Sequence, residues 1–261
     1  MKFFWTRTAS LLILIVCTAL NLNAQDKKEY YQLKTYTVTN ETQEQVVDTY
    51  LEKAFLPALK RYGINSVGVF KVHNDKFSKA DKIHVLIPFT SLVEFEALED
   101  YLIQDKAHLS AGESYLQAAH DKAPYERINS VLMRAFADMP KMIPAKVEGP
   151  RAKRVYELRS YESPTETTYK NKVHMFNEGG EVALFDSLGF NAVFYAEVLS
   201  GDTMPNLMYM TTFSNMDKRD ELWKAFFSSD KWTVLKEDDF YKNNMKKADV
   251  MLLYPTEYSD Y

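Results

Sequence analysis

Apolar and polar positions along this chain fall into eight short β-type segments separated by stretches of helical spacing, and the same order of segments occurs twice. The first set predicts strands over 30–38, 66–72, 82–89 and 127–134, helices over 42–62 and 92–103, and a helical excursion over 107–122. The second set predicts strands over 155–161, 192–199, 207–213 and 248–254, with helices over 163–188, from 214 onward, and over 232–242. Each set reads β-α-β-β-α-β, the ferredoxin-like order.

Individual residues repeat as well as elements. Tyr31-Gln32-Leu33-Lys34-Thr35-Tyr36 returns as Tyr156-Glu157-Leu158-Arg159-Ser160-Tyr161, Gly63-Ile64-Asn65 as Gly189-Phe190-Asn191, and Phe89-Thr90 as Phe213-Ser214. The offsets are 125, 126 and 124 residues, so the two halves share a chain path. Both long helices are interrupted at nearly the same place, by Pro57 in the first half and by Gly179-Gly180 in the second, which predicts a bend that the unit requires. Asn40 is read as the cap of the first helix, Ser163 with Pro164 and Glu166 as the start of its counterpart, and Ser214 as the next cap.

A four-stranded sheet covered by helices on one face leaves the other face to be buried or wet. Two such sheets face to face cover each other, which predicts an α+β fold: two ferredoxin-like repeats pairing as an intrachain pseudo-dimeric α/β barrel. If Leu33 and Leu158 point toward the helices, alternation sends Gln32, Lys34 and Tyr36, with Glu157, Arg159 and Tyr161, into the space between the sheets. Tyr209, on an alternating strand, joins the face of Tyr161. The expected organisation is a signal peptide over 1–24, a first repeat over 25–135, a linker over 136–153 marked by Pro140, Pro144, Gly149 and Pro150, and a second repeat over 154–261.

The leader expectation rests on Lys2 and Arg7 ahead of an apolar run over 9–20 and a small Ala24 before Gln25. Such a run is too short to cross a bilayer, so an exported, periplasmic or secreted protein without a membrane span is expected. The single cysteine, Cys17, lies within that leader, which leaves no thiol for a disulfide, a nucleophile or a zinc site afterwards. Removing the leader takes Lys2 and Arg7 and no acid, leaving 30 basic against 36 acidic residues; this balance argues against nucleic acid and anionic lipid as partners.

The two Y-x-L-[KR]-[ST]-Y hexads, Phe176-Asn177-Glu178-Gly179-Gly180 before Leu188-Gly189-Phe190, and Arg219-Asp220-Glu221-Leu222-Trp223 followed by Trp232 together resemble the NIPSNAP family. The resemblance covers roughly 30–133 and 155–254 and implies the dimeric α/β-barrel fold, whose other members include cofactor-independent monooxygenases and haem-degrading enzymes. The first repeat departs from the pattern: it has no tryptophan, uses Pro57 in place of the diglycine and lengthens the final excursion.

The residues offer little conventional chemistry. His73, His84, His108, His120 and His174 contain no pair at metal-ligand spacing, and no phosphate-binding loop or nucleophile elbow is present, so no metal or cofactor is expected. His174 and Glu178 lie one helical turn apart near the bend, and Trp223, Phe226, Phe227 and Trp232 read as core. The expected ligand-binding residues are Lys34, Tyr36, Glu157, Arg159, Tyr161 and Tyr209, around a small organic ligand in the barrel cavity, with Arg159 facing a carboxylate or oxygen-rich group. The alternatives are a cofactor-free oxygenase or haem-degrading enzyme acting in that cavity, and a non-catalytic assembly protein. A monomer whose internal repeat replaces a dimer is expected.

Overall fold

A computed structural model describes residues 27–73, 81–144 and 146–261; the expected leader lies outside them. The first repeat contains β1 (Tyr30–Thr37), α1 (Glu41–Tyr50), a π-helical turn (Leu51–Phe55), α2 (Leu56–Tyr62), β2 (Gly68–Val72), β3 (Lys82–Phe89), α3 (Leu92–Leu102), two short helices α4 (Lys106–Ala111) and α5 (Glu113–Leu116), and β4 (Arg127–Ala135). The second contains β5 (Val155–Glu162), α6 (Glu166–Phe176), α7 (Glu181–Ser187), β6 (Asn191–Ser200), β7 (Asn206–Phe213), α8 (Met216–Phe227), α9 (Asp230–Glu237) and β8 (Lys247–Pro255).

The strands close into one barrel in the order β1-β3-β2-β8-β5-β7-β6-β4, every pair antiparallel. Each repeat contributes four neighbouring strands, and the repeats join at two seams, β2 with β8 and β4 with β6. Both edges of each sheet are therefore paired, which leaves no free edge on the barrel.

Three buried clusters divide the molecule. One fills the barrel with residues from both repeats, among them Leu33, Leu86, Met133, Leu158, Met210 and Leu253. The other two lie between the barrel wall and the helices of each repeat: Tyr36, Phe55 and Val85 belong to the first, and Phe176, Tyr209 and Trp223 to the second. The expected parity is thus reversed. Leu33 and Leu158 point into the barrel, whereas Tyr36, Glu157, Arg159 and Tyr161 face the helices. Both faces of these strands are buried, so alternation sets the two faces apart without saying which layer each one meets. The barrel interior is mainly apolar, with the hydroxyls of Tyr31, Tyr156 and Tyr261 buried among those side chains, while the sheet-to-helix layer receives charged groups such as Arg219 from the helices.

The bends occur as expected, by different means. In the first repeat the π-helical turn runs into α2, which carries Pro57 in its first turn. In the second, α6 ends at Phe176, Gly180 adopts φ +83°, and α7 follows to Gly189 at φ +85°. Asn40 caps α1. Two other starts shift: Thr165, not Ser163, caps α6 in a reciprocal box with Thr168, and Ser163 instead donates to the Asn244 carbonyl at 2.7 Å. Asn215, not Ser214, caps α8.

Candidate functional site

Four of the six expected ligand residues meet in the second sheet-to-helix layer. On β5, Glu157, Arg159 and Tyr161 share one face, and the β5–β7 register sets Tyr209 opposite Arg159. Helix α8, started by Asn215, brings Arg219 and Trp223 over them from one helical face. Glu157 is fully buried and takes the donors of both helices and sheet: Arg159 Nε at 2.6 Å, Arg219 Nε at 2.6 Å and Nη2 at 3.2 Å, and Trp223 Nε1 at 2.9 Å. The Arg159 guanidinium lies 3.7 Å from the Trp223 ring centre and donates through Nη1 to the Tyr161 hydroxyl at 3.0 Å. Tyr161 and Tyr209 hydroxyls are 2.8 Å apart.

Burial works against the Arg159 charge, but Tyr209, Tyr161 and Glu157 more than offset it and hold its pKa above the ordinary value. Burial, followed by the neighbouring Tyr161, pushes the Tyr209 phenol well up. At the inner end, Lys172 of α6 donates to Glu181 of α7 at 2.9 Å, with its ammonium 4.7 Å from the Phe176 ring. Arg159, Arg219 and Trp223 occupy the acceptor positions of Glu157, and the hydrogen-bonded chain continues from Arg159 through Tyr161 to Tyr209. The cluster binds sheet to helices; alternation could not foresee it because its decisive donors come from α8.

Lys34 and Tyr36 do not join that cluster. They occupy the equivalent layer of the first repeat, with the Lys34 ammonium 5.3 Å from the Phe55 ring and 5.8 Å from the Tyr36 ring. The six residues therefore line two separate layers rather than one central cavity, and apolar side chains fill the barrel where the ligand cavity was expected. Among the histidines, His84 points into the barrel and shares a 2.9 Å hydrogen bond with Thr35, while His174 pairs with the Tyr241 hydroxyl at 2.8 Å. Glu178, at the same bend, is exposed. Phe227 is also exposed, in contrast to its expected place in the core beside Trp223 and Phe226.

A cavity of about 470 Å³ lies beneath the linker, against α7 and β6. Met139, Ile143, Phe190 and Tyr195 give it an apolar lining, and Asp138 and Asp186 are its acidic members. Its roof is tied down. Phe136 N–H donates to the Tyr195 carbonyl at 3.0 Å, Ile143 N–H to the Val193 carbonyl at 3.1 Å, and the Asn177 side-chain carbonyl accepts from Ala137 and Asp138 N–H at 3.1 and 3.2 Å. Tyr195 is 2% exposed, lies 5.5 Å from Tyr209 ring to ring, and makes no side-chain hydrogen bond within the described residues. Burial, then Glu181 and Asp186, raise its phenol pKa. The only sequence signal for this cavity is the pair of apolar residues, Met139 and Ile143, among the linker prolines.

Residues 156–260 match the NIPSNAP family profile. Two solved structures share the architecture over most of the chain. The putative monooxygenase of Fusobacterium nucleatum subsp. nucleatum ATCC 25586 is 9% identical, with 88% of this chain and 93% of that one covered and a TM-score of 0.56. The putative monooxygenase of Lactobacillus acidophilus NCFM is 10% identical, with 87% and 94% covered and a TM-score of 0.55. At such identities the likeness is one of fold. A NIPSNAP family protein from Agrobacterium tumefaciens str. C58 is 19% identical over 41% of this chain and 96% of its own, with a TM-score of 0.35. No curated protein sequence matches the chain. The second repeat thus carries the match to the NIPSNAP family, and it forms half of a closed barrel whose fold is that of the two larger structures.

Proposed function

We propose that the protein binds a small organic ligand in the cavity beneath the linker of the second repeat. The observation that carries this reading is a preformed cavity of about 470 Å³, within the usual range for ligand sites, lined by Tyr195, whose hydroxyl makes no hydrogen bond among the described residues. Met139, Phe190 and Ile143 suit an apolar body. Tyr195 suits one acceptor on the ligand, and Asp138, Asp186 and Lys146 offer its outer end polar contacts of both signs. The reading includes an exported protein with residues 1–24 removed, which N-terminal sequencing of the mature chain tests.

Thermal shift against a metabolite panel tests the binding site. A ligand that fits raises the midpoint of the wild type by mass action. Tyr195→Phe, which keeps the ring, should diminish that shift, and Ala183→Trp at the lining should abolish it. A panel that leaves the wild type unmoved assigns the cavity to packing alone.

A second reading, cofactor-free oxygenation of an aromatic substrate, draws on one observation: Tyr195 backs onto a box of Phe185, Tyr209 and Phe176 rings. Two proteins of the same fold are named putative monooxygenases. Aerobic incubation with a phenol should then give the quinone, one atom of O2 entering the ring and the other leaving as water, with an absorbance that Tyr195→Phe reduces. Incubation with haem under reductant tests the haem-degrading variant of this reading, which an unchanged spectrum discards.

A further inference from the structure

The cavity beneath the linker has charge of both signs at its rim. Asp138 and Lys146 on the linker and Asp186 on α7 all line it, all three are exposed, and none forms an ion pair among the described residues. Elsewhere the chain does pair such groups: Lys71 with Glu44 and Asp48, and Lys170 with Glu197, each at 2.6 Å.

Behind the rim the polar group is Tyr195. It is 2% exposed, lines the same cavity, and its hydroxyl has no hydrogen-bond partner among the described residues. Its ring packs against Phe136, 6.2 Å away and inclined by 13°, and against Tyr209, 5.5 Å away and inclined by 28°, which fixes its direction. Burial, then the Glu181 and Asp186 carboxylates, raise its pKa and keep it a protonated donor. A buried donor left unpaired costs free energy that an acceptor on a ligand recovers. Most of the remaining lining is apolar, with Met139, Ile143 and Phe190 among it. A ligand of one charge would match part of the rim and be repelled by the rest, whereas a zwitterion matches both signs.

We infer that this cavity takes a zwitterionic α-amino acid whose side chain is an apolar body ending in an oxygen atom. The terminal oxygen accepts from the Tyr195 hydroxyl, and the body lies against Met139, Ile143 and Phe190. The ammonium faces Asp138 and Asp186, and the carboxylate faces Lys146. This inference rests on the ligand-binding reading of the cavity and names the class of ligand. Because the rim groups are solvated, each rim contact contributes less than the buried one.

L-Tyrosine is the probe, and calorimetric titration of the full chain is the measurement. Four analogues each lack part of it: tyramine the carboxylate, 3-(4-hydroxyphenyl)propionate the ammonium, phenylalanine the terminal oxygen, and 4-ethylphenol both charges. Tyrosine should bind tightest, with phenylalanine weaker by about tenfold and the two singly charged analogues by about threefold. Each variant should lose only the contact that its own group makes. Tyr195→Phe should weaken tyrosine by about tenfold and leave phenylalanine unchanged. Lys146→Ala should weaken tyrosine and the propionate but not tyramine, and Asp138→Asn combined with Asp186→Asn should weaken tyrosine and tyramine but not the propionate. A variant that simply fails to fold would lose all five probes alike, and circular dichroism identifies it. Binding of 4-ethylphenol as tight as tyrosine, still dependent on Tyr195, overturns the inference and leaves the cavity a ligand site. Equal losses of tyrosine and phenylalanine in folded Tyr195→Phe overturn it too. Silence of all five probes overturns it as well, and the metabolite panel then decides separately whether the cavity binds anything.

Discussion

Glu157 shows how strongly one residue depends on its surroundings. A carboxylate with no exposure is tolerable because two guanidinium groups and an indole N–H surround it. Glu157→Gln leaves those two cations without their shared anion and should destabilise the protein by about 3–5 kcal/mol in urea denaturation. His84 makes the opposite case, a base kept neutral. Burial, aided by the Lys82 charge, depresses its pKa to about 3, against about 6.5 in an unfolded chain. Below pH 6.5 the unfolded state therefore binds a proton that the folded state refuses. Stability is fully present above that value and falls on acidification toward pH 3, by about 1.4 kcal/mol per pH unit. Denaturation between pH 6.5 and 5 should show this slope in the wild type, and His84→Gln should flatten it.

At the level of elements, the two bends show that one geometry can be reached by unrelated residues. A π-helical turn followed by Pro57 does in the first repeat what Gly179 and Gly180 do in the second. A Cβ on Gly179 would stand 2.6 Å from the Met175 carbonyl oxygen and 2.9 Å from the Tyr241 hydroxyl. Gly179→Ala must therefore displace backbone, and we expect a loss of about 1–3 kcal/mol in chemical denaturation. Gly180 has open space around it and only its positive φ to defend, so Gly180→Ala should cost about 1 kcal/mol. The bend also anchors the linker, through Asn177. Asn177→Ala strands the Ala137 and Asp138 N–H groups, and should lower both the thermal midpoint and the affinity of any ligand held beneath the linker.

On the scale of the whole molecule, the barrel interior belongs to neither repeat alone. Leu33, Leu86 and Met133 from one half pack with Leu158, Met210 and Leu253 from the other, so unfolding should be a single transition by both fluorescence and circular dichroism. A fragment of residues 154–261 would expose its share of that interior and should dimerise or aggregate in light scattering. The sequence by itself determined the duplication, the β-α-β-β-α-β order, the two bends and the closure of one repeat upon the other, because periodicity, glycine and proline act locally and a bare sheet face must be covered. Only the tertiary structure decided which parity of β1 and β5 meets the helices, since both faces are buried and alternation is symmetric between them. It also decided that Glu157 is saturated by Arg219 and Trp223, 62 and 66 residues away, while the Lys34 ammonium lies over the Phe55 and Tyr36 rings. The partners of a buried charge come from elements distant along the chain, and their approach depends on packing that no local pattern encodes.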